Sequence, residues 1–156
     1  MVEIDTARLT MLRIRNGCLI ALLCSVILGC SSTSDPELAH NPIIWADVPD
    51  PSVIRIGDNY YMSSTTMHMN PGVPIMKSND LVHWEMVSYV YDILSDNDAL
   101  QLVNENAYGR GSWASSLKYH NNRFYLVTFS YTTNKTYIFQ TDDIASSGWE
   151  MFTLDA

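Results

Sequence analysis

Two residues stand out by type and setting. Asp50, in Val48-Pro49-Asp50-Pro51-Ser52, sits directly before a run that reads as a β-strand. An ionised carboxylate is a pure acceptor, able to take a hydrogen bond or a proton. Proline disfavours the helical region for the residue before it, so Pro51 is expected to hold Asp50 extended at the strand entrance. The plainer reading is that Asp50 caps a turn beside Pro51, and position alone leaves both open. The second residue, Cys30, closes the apolar run Cys18-Leu19-Ile20-Ala21-Leu22-Leu23-Cys24-Ser25-Val26-Ile27-Leu28-Gly29, where a thiol could be lipidated.

The elements that must position Asp50 repeat along the chain. Ser52-Val53-Ile54-Arg55-Ile56-Gly57-Asp58-Asn59-Tyr60-Tyr61-Met62 aligns without a gap, at an offset of 64, with Ser116-Leu117-Lys118-Tyr119-His120-Asn121-Asn122-Arg123-Phe124-Tyr125-Leu126. Each is a short strand, a turn of Gly, Asp or Asn, and a second strand with two aromatics near its start, which predicts a β-hairpin. Further on, Asp80-Leu81-Val82-His83-Trp84-Glu85 is echoed by Asp143-Ile144 and Trp149-Glu150, at offsets of 63 and 65. Each unit thus predicts a hairpin, a third strand, an Asp-Leu or Asp-Ile turn, and an outer strand opening with Trp-Glu. Trp84 and Trp149 are expected to pack between neighbouring units.

Units of several strands at a fixed period predict an all-β propeller. Long helices are not expected, because no stretch past residue 40 holds the 3.6-residue period over three turns. Closure takes at least about four blades, and residues 42–156 supply about two, so roughly half or more of the domain is expected to lie outside this sequence. The innermost strand of each blade lines the axis, and a carboxylate at its entrance points toward the funnel. At the offset of 64 the counterpart of Asp50 is Ala114. Asp50 therefore departs from the structural repeat, as functional residues often do.

The first thirty residues differ from the rest. Arg13 and Arg15 precede an apolar run too short to cross a bilayer comfortably, which takes about 20 residues. With small Gly29 before Cys30, this predicts a signal peptide over residues 1–30 ending in a lipobox, with residues 31–40 as a polar tether and 41–156 as the propeller. Met11 is the more natural initiator, since Glu3 and Asp5 suit a leader poorly. The expected location is extracytoplasmic and lipid-anchored, in the periplasm or at the outer membrane. The lipid would be the only attachment to the membrane.

All three cysteines lie at or before Cys30, so the domain has no disulfide and no cysteine-ligated metal. The chain carries 17 acidic and 9 basic residues, a net charge of −8, and three of the basic ones fall in the leader. This argues against nucleic acid and favours neutral partners. No aromatic occurs before residue 31. An acidic, aromatic-rich domain fits a carbohydrate-handling surface and a well-packed β domain equally.

Residues 41–150 resemble glycoside hydrolase family 43. The resemblance is carried by Asp50-Pro51-Ser52 with the strand after it, by Pro71-Gly72-Val73-Pro74-Ile75, by Ser78-Asn79-Asp80-Leu81-Val82-His83-Trp84 and by Gly111-Ser112-Trp113-Ala114-Ser115-Ser116. It implies a five-bladed β-propeller of which about the first two blades are present. It further implies an inverting hydrolase in which Asp50 is the general base, acting as a β-xylosidase or α-L-arabinofuranosidase on plant cell-wall oligosaccharides. Such chemistry needs a second carboxyl group about 6.5–9.5 Å away, leaving room for a water. The family's acid is a glutamate from a later blade. Glu105 and Glu150 do not sit at an inner-strand start, so the acid is expected beyond Ala156 and the isolated fragment is expected to be inactive. Members that tune the acid do so with an aspartate after Trp-Ala-Pro, and Ser116 stands in its place here.

Met67 and His68 fall where related xylosidases place apolar and polar sugar contacts. Trp113 either stacks on a sugar or belongs to the core. His83 and His120 are expected on the surface. No zinc-type spacing is present. No cofactor is expected, and nothing in the sequence supports calcium on the axis. The alternative function is a carbohydrate-binding propeller lipoprotein without catalysis.

Overall fold

The computed structural model describes residues 39–68 and 70–155. The expected leader, Cys30 and the tether as far as residue 38 lie outside the described residues. The strands are β1 (Ser52–Ile56), β2 (Asn59–Ser63), β3 (Gly72–Ser78), β4 (Glu85–Tyr91), β5 (Ser116–His120), β6 (Arg123–Ser130), β7 (Lys135–Thr141) and β8 (Glu150–Asp155). A one-turn helix, α1 (Asp98–Gln101), interrupts the connection from β4 to β5.

The strands form two antiparallel sheets in the orders β1-β2-β3-β4 and β5-β6-β7-β8. Both are plain up-and-down meanders, and both start at the positions related by the offset of 64. The turn chemistry accounts for the tight hairpins. Asn121 and Asn122 both hold positive φ, at 49° and 59°, as a type I′ turn requires, and Gly57 takes φ 59° at the first corner of the earlier hairpin. Between β3 and β4 the pairing slips at Ile75/Met76, a bulge with no counterpart in the second sheet.

Apolar residues from both sheets merge into one buried cluster that includes Val73, Ile75 and Val90 from the first and Leu117, Leu126 and Phe139 from the second. Burying each such side chain contributes about 1.5–3 kcal/mol. Hydrogen bonds between the sheets fix how they meet. The Leu117 N–H donates to Ser52 Oγ at 3.1 Å, Ser115 Oγ to Ser63 Oγ at 2.8 Å, and Ser88 Oγ to the Ile144 carbonyl at 2.7 Å. The first two of these lock β1 and β2 against β5 and the residue that enters it, Ser115, so the inner strands of the two blades run side by side.

The two tryptophans expected between units behave differently. Trp149 joins the buried cluster, and its Nε1 has no hydrogen-bond partner among the described residues. Trp84 is only half-buried and is not part of that cluster; its indole N–H donates to the Leu81 carbonyl at 3.1 Å. The same contrast holds one turn earlier, with Ile144 5% exposed and Leu81 43% exposed. Equivalent sequence is buried where a neighbouring sheet covers it, as β4 covers Ile144. The sequence unit alone does not supply that cover.

The turn at Asp80 is held by its own side chain. Oδ1 accepts the N–H groups of Val82 and His83, both at 2.8 Å, and the Ser78 hydroxyl at 3.0 Å, while Oδ2 lies 2.7 Å from His83 Nδ1. The His83 contact and these amide bonds hold the Asp80 carboxyl well below the usual carboxylate range. His83 is exposed, as expected, and so is His120.

Candidate active site

The connections at one end of both sheets converge: the approach to β1, the β2–β3 and β4–β5 connections, and the β6–β7 turn. Asp50 is exposed at the entrance of β1. Its φ is 49°, so it is left-handed and not extended as Pro51 led us to expect. Pro51 disfavours the right-handed region, but a short polar side chain tolerates the left-handed one. Such a conformation costs about 1–3 kcal/mol and persists only where its surroundings impose it. Here the preceding Pro49 carbonyl is gripped twice by the exit of β2, accepting the Thr65 N–H at 3.2 Å and the Ser64 hydroxyl at 2.7 Å.

Thr65 is the hinge pin of the next segment. Its buried hydroxyl donates to the Ser112 carbonyl at 2.7 Å and accepts the Met67 N–H at 3.1 Å. Met67 is itself left-handed, with φ 48°. The His68 N–H donates to the Thr66 carbonyl, and the His68 ring lies against Tyr108, centroids 4.6 Å apart and planes 35° apart. Met67 and His68 line a cleft of about 380 Å³ together with Pro49, Thr65, Ile44 and Trp84. Asp50 and Trp113 do not line it.

Trp113 is set by backbone. Its N–H donates to the Phe129 carbonyl at 2.9 Å and its carbonyl accepts the Thr128 hydroxyl at 2.7 Å. The ring is 36% exposed and meets Tyr131 edge-on at 5.1 Å. It is therefore neither core nor free surface, but part of an aromatic edge that Phe129 continues, 5.0 Å from Tyr131. Beside it Ser112 is fully buried and accepts the Tyr91 hydroxyl at 2.7 Å. Burial pushes the Tyr91 phenol above its usual value, and the bond to Ser112 draws it part of the way back.

Ser116, at the start of β5, is exposed, whereas Ser115 is buried against Ser63. Glu150 lies on the outer strand β8 and accepts Gln140 Nε2 at 2.6 Å, and Glu105 is exposed in the β4–β5 connection. Neither stands at the start of an inner strand. Among the described residues no group of three His, Cys, Asp or Glu side chains is placed to hold a metal ion.

Two participants escape a reading of the sequence. Tyr108 reaches His68 across 40 positions, and Gly111 lies under Met67 so closely that a Cβ there would stand 2.0 Å from the Met67 carbonyl oxygen. The only local signal is an aromatic and two glycines in Ala107-Tyr108-Gly109-Arg110-Gly111.

Successive four-stranded antiparallel blades with adjoining inner strands define a β-propeller. The chain belongs to the family described as Glycosyl hydrolases family 43, whose profile matches residues 39–152. It is 40% identical over 91 residues to a beta-xylosidase of Formosa agariphila, covering 58% of this chain and 15% of that protein. It is 32% identical over 117 residues to a non-reducing end alpha-L-arabinofuranosidase of Bacteroides ovatus, covering 75% and 22%. Among solved structures, a bifunctional GH43-CE protein of Bacteroides eggerthii superimposes with a TM-score of 0.71 at 54% identity, over 75% of this chain and 15% of that one. The solved relatives are five-bladed β-propellers, and the two four-stranded blades described here match part of them. The chain spans 15% and 22% of the length of these two curated relatives.

Proposed function

We propose that this chain is the front part of an inverting glycoside hydrolase that acts on pentose-containing plant cell-wall oligosaccharides, as a β-xylosidase or an α-L-arabinofuranosidase. The observation that carries the reading is Asp50, exposed and left-handed at the entrance of an innermost propeller strand within the family-matched region. Held there, its carboxylate takes a proton from water as the water attacks the anomeric carbon. A carboxylic acid on the opposite side protonates the leaving oxygen, at a separation of about 6.5–9.5 Å. No glutamate among the described residues stands where it could serve, so the acid belongs to another part of the propeller and these two blades alone do not turn over substrate. Met67, His68 and Trp113 contribute sugar contacts. Cys30 carries the lipid that holds the domain outside the cytoplasm. The names of the relatives, a beta-xylosidase and an alpha-L-arabinofuranosidase, support the pentoside class.

The test is release of p-nitrophenol from p-nitrophenyl β-xyloside and α-arabinofuranoside, by this chain and by the product of the reading frame carried to its next stop codon. Activity in the longer product alone is the expected result. Hydrolysis by the 156-residue chain would refute the placement of the acid. A folded longer product silent on both substrates favours the second reading, a carbohydrate-binding propeller lipoprotein. The exposed aromatic edge of Trp113 and Tyr131 would serve that role without any acid.

A further inference from the structure

The β4–β5 connection holds a large aromatic ring in water. Tyr108 is 76% exposed, yet the backbone around it is anchored on both sides. Before it, Leu100 is buried, its carbonyl accepts Asn70 Nδ2, and the Asn97 side chain caps α1 by accepting the Leu100 N–H at 3.2 Å. Next to it, Ala107 is 1% exposed and its carbonyl accepts the Arg110 N–H at 2.8 Å. The Tyr108 N–H is itself bonded to Asn106 Oδ1 at 3.2 Å. A tyrosine presented on such a pinned stretch is held outward by the loop, because its ring gains nothing from the core.

One side of the ring leans on His68, and its remaining surface borders a hollow of about 350 Å³ shared with His68, Leu102 and Asn106. Leu102 is 64% exposed and left-handed, with φ 60°. The hollow therefore combines a flat aromatic face and an aliphatic side chain with an imidazole, a phenol and a carboxamide at its edges. Flat apolar surface with a few polar groups at its rim suits a ring that has C–H faces and hydroxyl edges. Binding an anionic chain is disfavoured by the acidic balance of the protein, a net charge of −8.

We propose that Tyr108, with His68, Leu102 and Asn106, forms an outlying sugar subsite that takes a further residue of an oligosaccharide whose terminal sugar lies by Asp50. This rests on the proposed hydrolase and adds to it: Tyr108 makes the protein prefer oligosaccharides over simple glycosides. A π-face contact is sequence-tolerant, so the subsite selects for a sugar ring at that position and not for one particular pentose.

The test uses the complete reading-frame product, comparing wild type with Tyr108→Ala and Tyr108→Phe on p-nitrophenyl glycoside and on a pentose tetrasaccharide. Tyr108→Ala is expected to lower kcat/KM for the tetrasaccharide roughly tenfold more than for the aryl glycoside, mainly through KM, with Tyr108→Phe retaining most of the wild-type preference. Equal losses on both substrates, or none on either, would overturn the subsite. Should the wild type cleave neither, the hydrolase reading fails, and retardation in native gels containing arabinoxylan decides the subsite separately. Retardation of wild type and Tyr108→Phe but not of Tyr108→Ala upholds it, and equal mobility of all three discards it.

Discussion

The Met67 carbonyl oxygen occupies the space beside Gly111 so fully that a Cβ at Gly111 would lie 2.0 Å from it. The neighbour is backbone, so it cannot swing aside. This contact joins the β2–β3 connection, which carries His68, to the β4–β5 connection, which carries Tyr108 and Trp113. A single methyl group is therefore expected to part the two halves of the site. Gly111→Ala should destabilise the protein by about 1–3 kcal/mol through overpacking and displace Met67. Thermal melting reads the first effect. Loss of the His68–Tyr108 contact in the variant's crystal structure reads the second, and an unchanged melting temperature would contradict the prediction.

Asp50→Asn keeps the size and turn preference of the side chain but cannot accept a proton from water. In the complete reading-frame product it is expected to lower kcat by about 10²–10⁴-fold while leaving the melting temperature close to that of wild type. The left-handed φ of 49° is compatible with asparagine, which tolerates that region as readily as aspartate. Pentose release undiminished in the variant would remove Asp50 from the mechanism.

Thr65→Val replaces a buried hydroxyl by a methyl group of nearly the same shape. The Ser112 carbonyl loses a donor and the Met67 N–H loses an acceptor. Leaving a buried polar group without its partner costs about 1–3 kcal/mol. Denaturant unfolding should show a lower midpoint. Thr65→Ser, which keeps the hydroxyl, should recover most of it, and failure of Ser to do better than Val would point to packing as the cause.

The turn at Asp80 carries a pH dependence whose sign is set by its depressed carboxyl. The His83 side chain is the largest cause, followed by the His83 and Val82 amides. A folded-state value below the unfolded 3.8 means that the stabilisation is fully present above about pH 4 and is lost as the pH falls further. Asp80→Asn should therefore melt at a lower temperature than wild type at pH 7. The gap should narrow below pH 4, where the unfolded chain's carboxyl takes up a proton while the folded one still holds its charge. Melting curves at pH 7 and pH 3 make the comparison, and a constant gap would show that the charge is not what holds the turn.

Much of the scaffold was legible because it is local. The turns at Gly57-Asp58 and Asn121-Asn122 have the residues that positive φ demands, and the offset of 64 sets β1 and β5 at equivalent positions of the two blades. Asp50 was legible as a candidate because it breaks that repeat. Its conformation was not, since Pro51 disfavours one region without choosing between the remaining two. The bonds that settle it, from Ser64 and Thr65 to the Pro49 carbonyl, reach back from the far end of the first hairpin.

The sequence by itself determined the blades, the family they belong to, and the carboxylate at the strand entrance, because strand period, turn chemistry and repeat length are all read within a few residues or by comparing like with like. Only the tertiary structure decided that Tyr108 meets His68, that Gly111 gives room to Met67, and that Trp149 is buried while Trp84 is not. Each of these depends on which surface lies opposite. That is a matter of how two sheets and their connections close on one another, and equivalent residues in a repeat meet different neighbours.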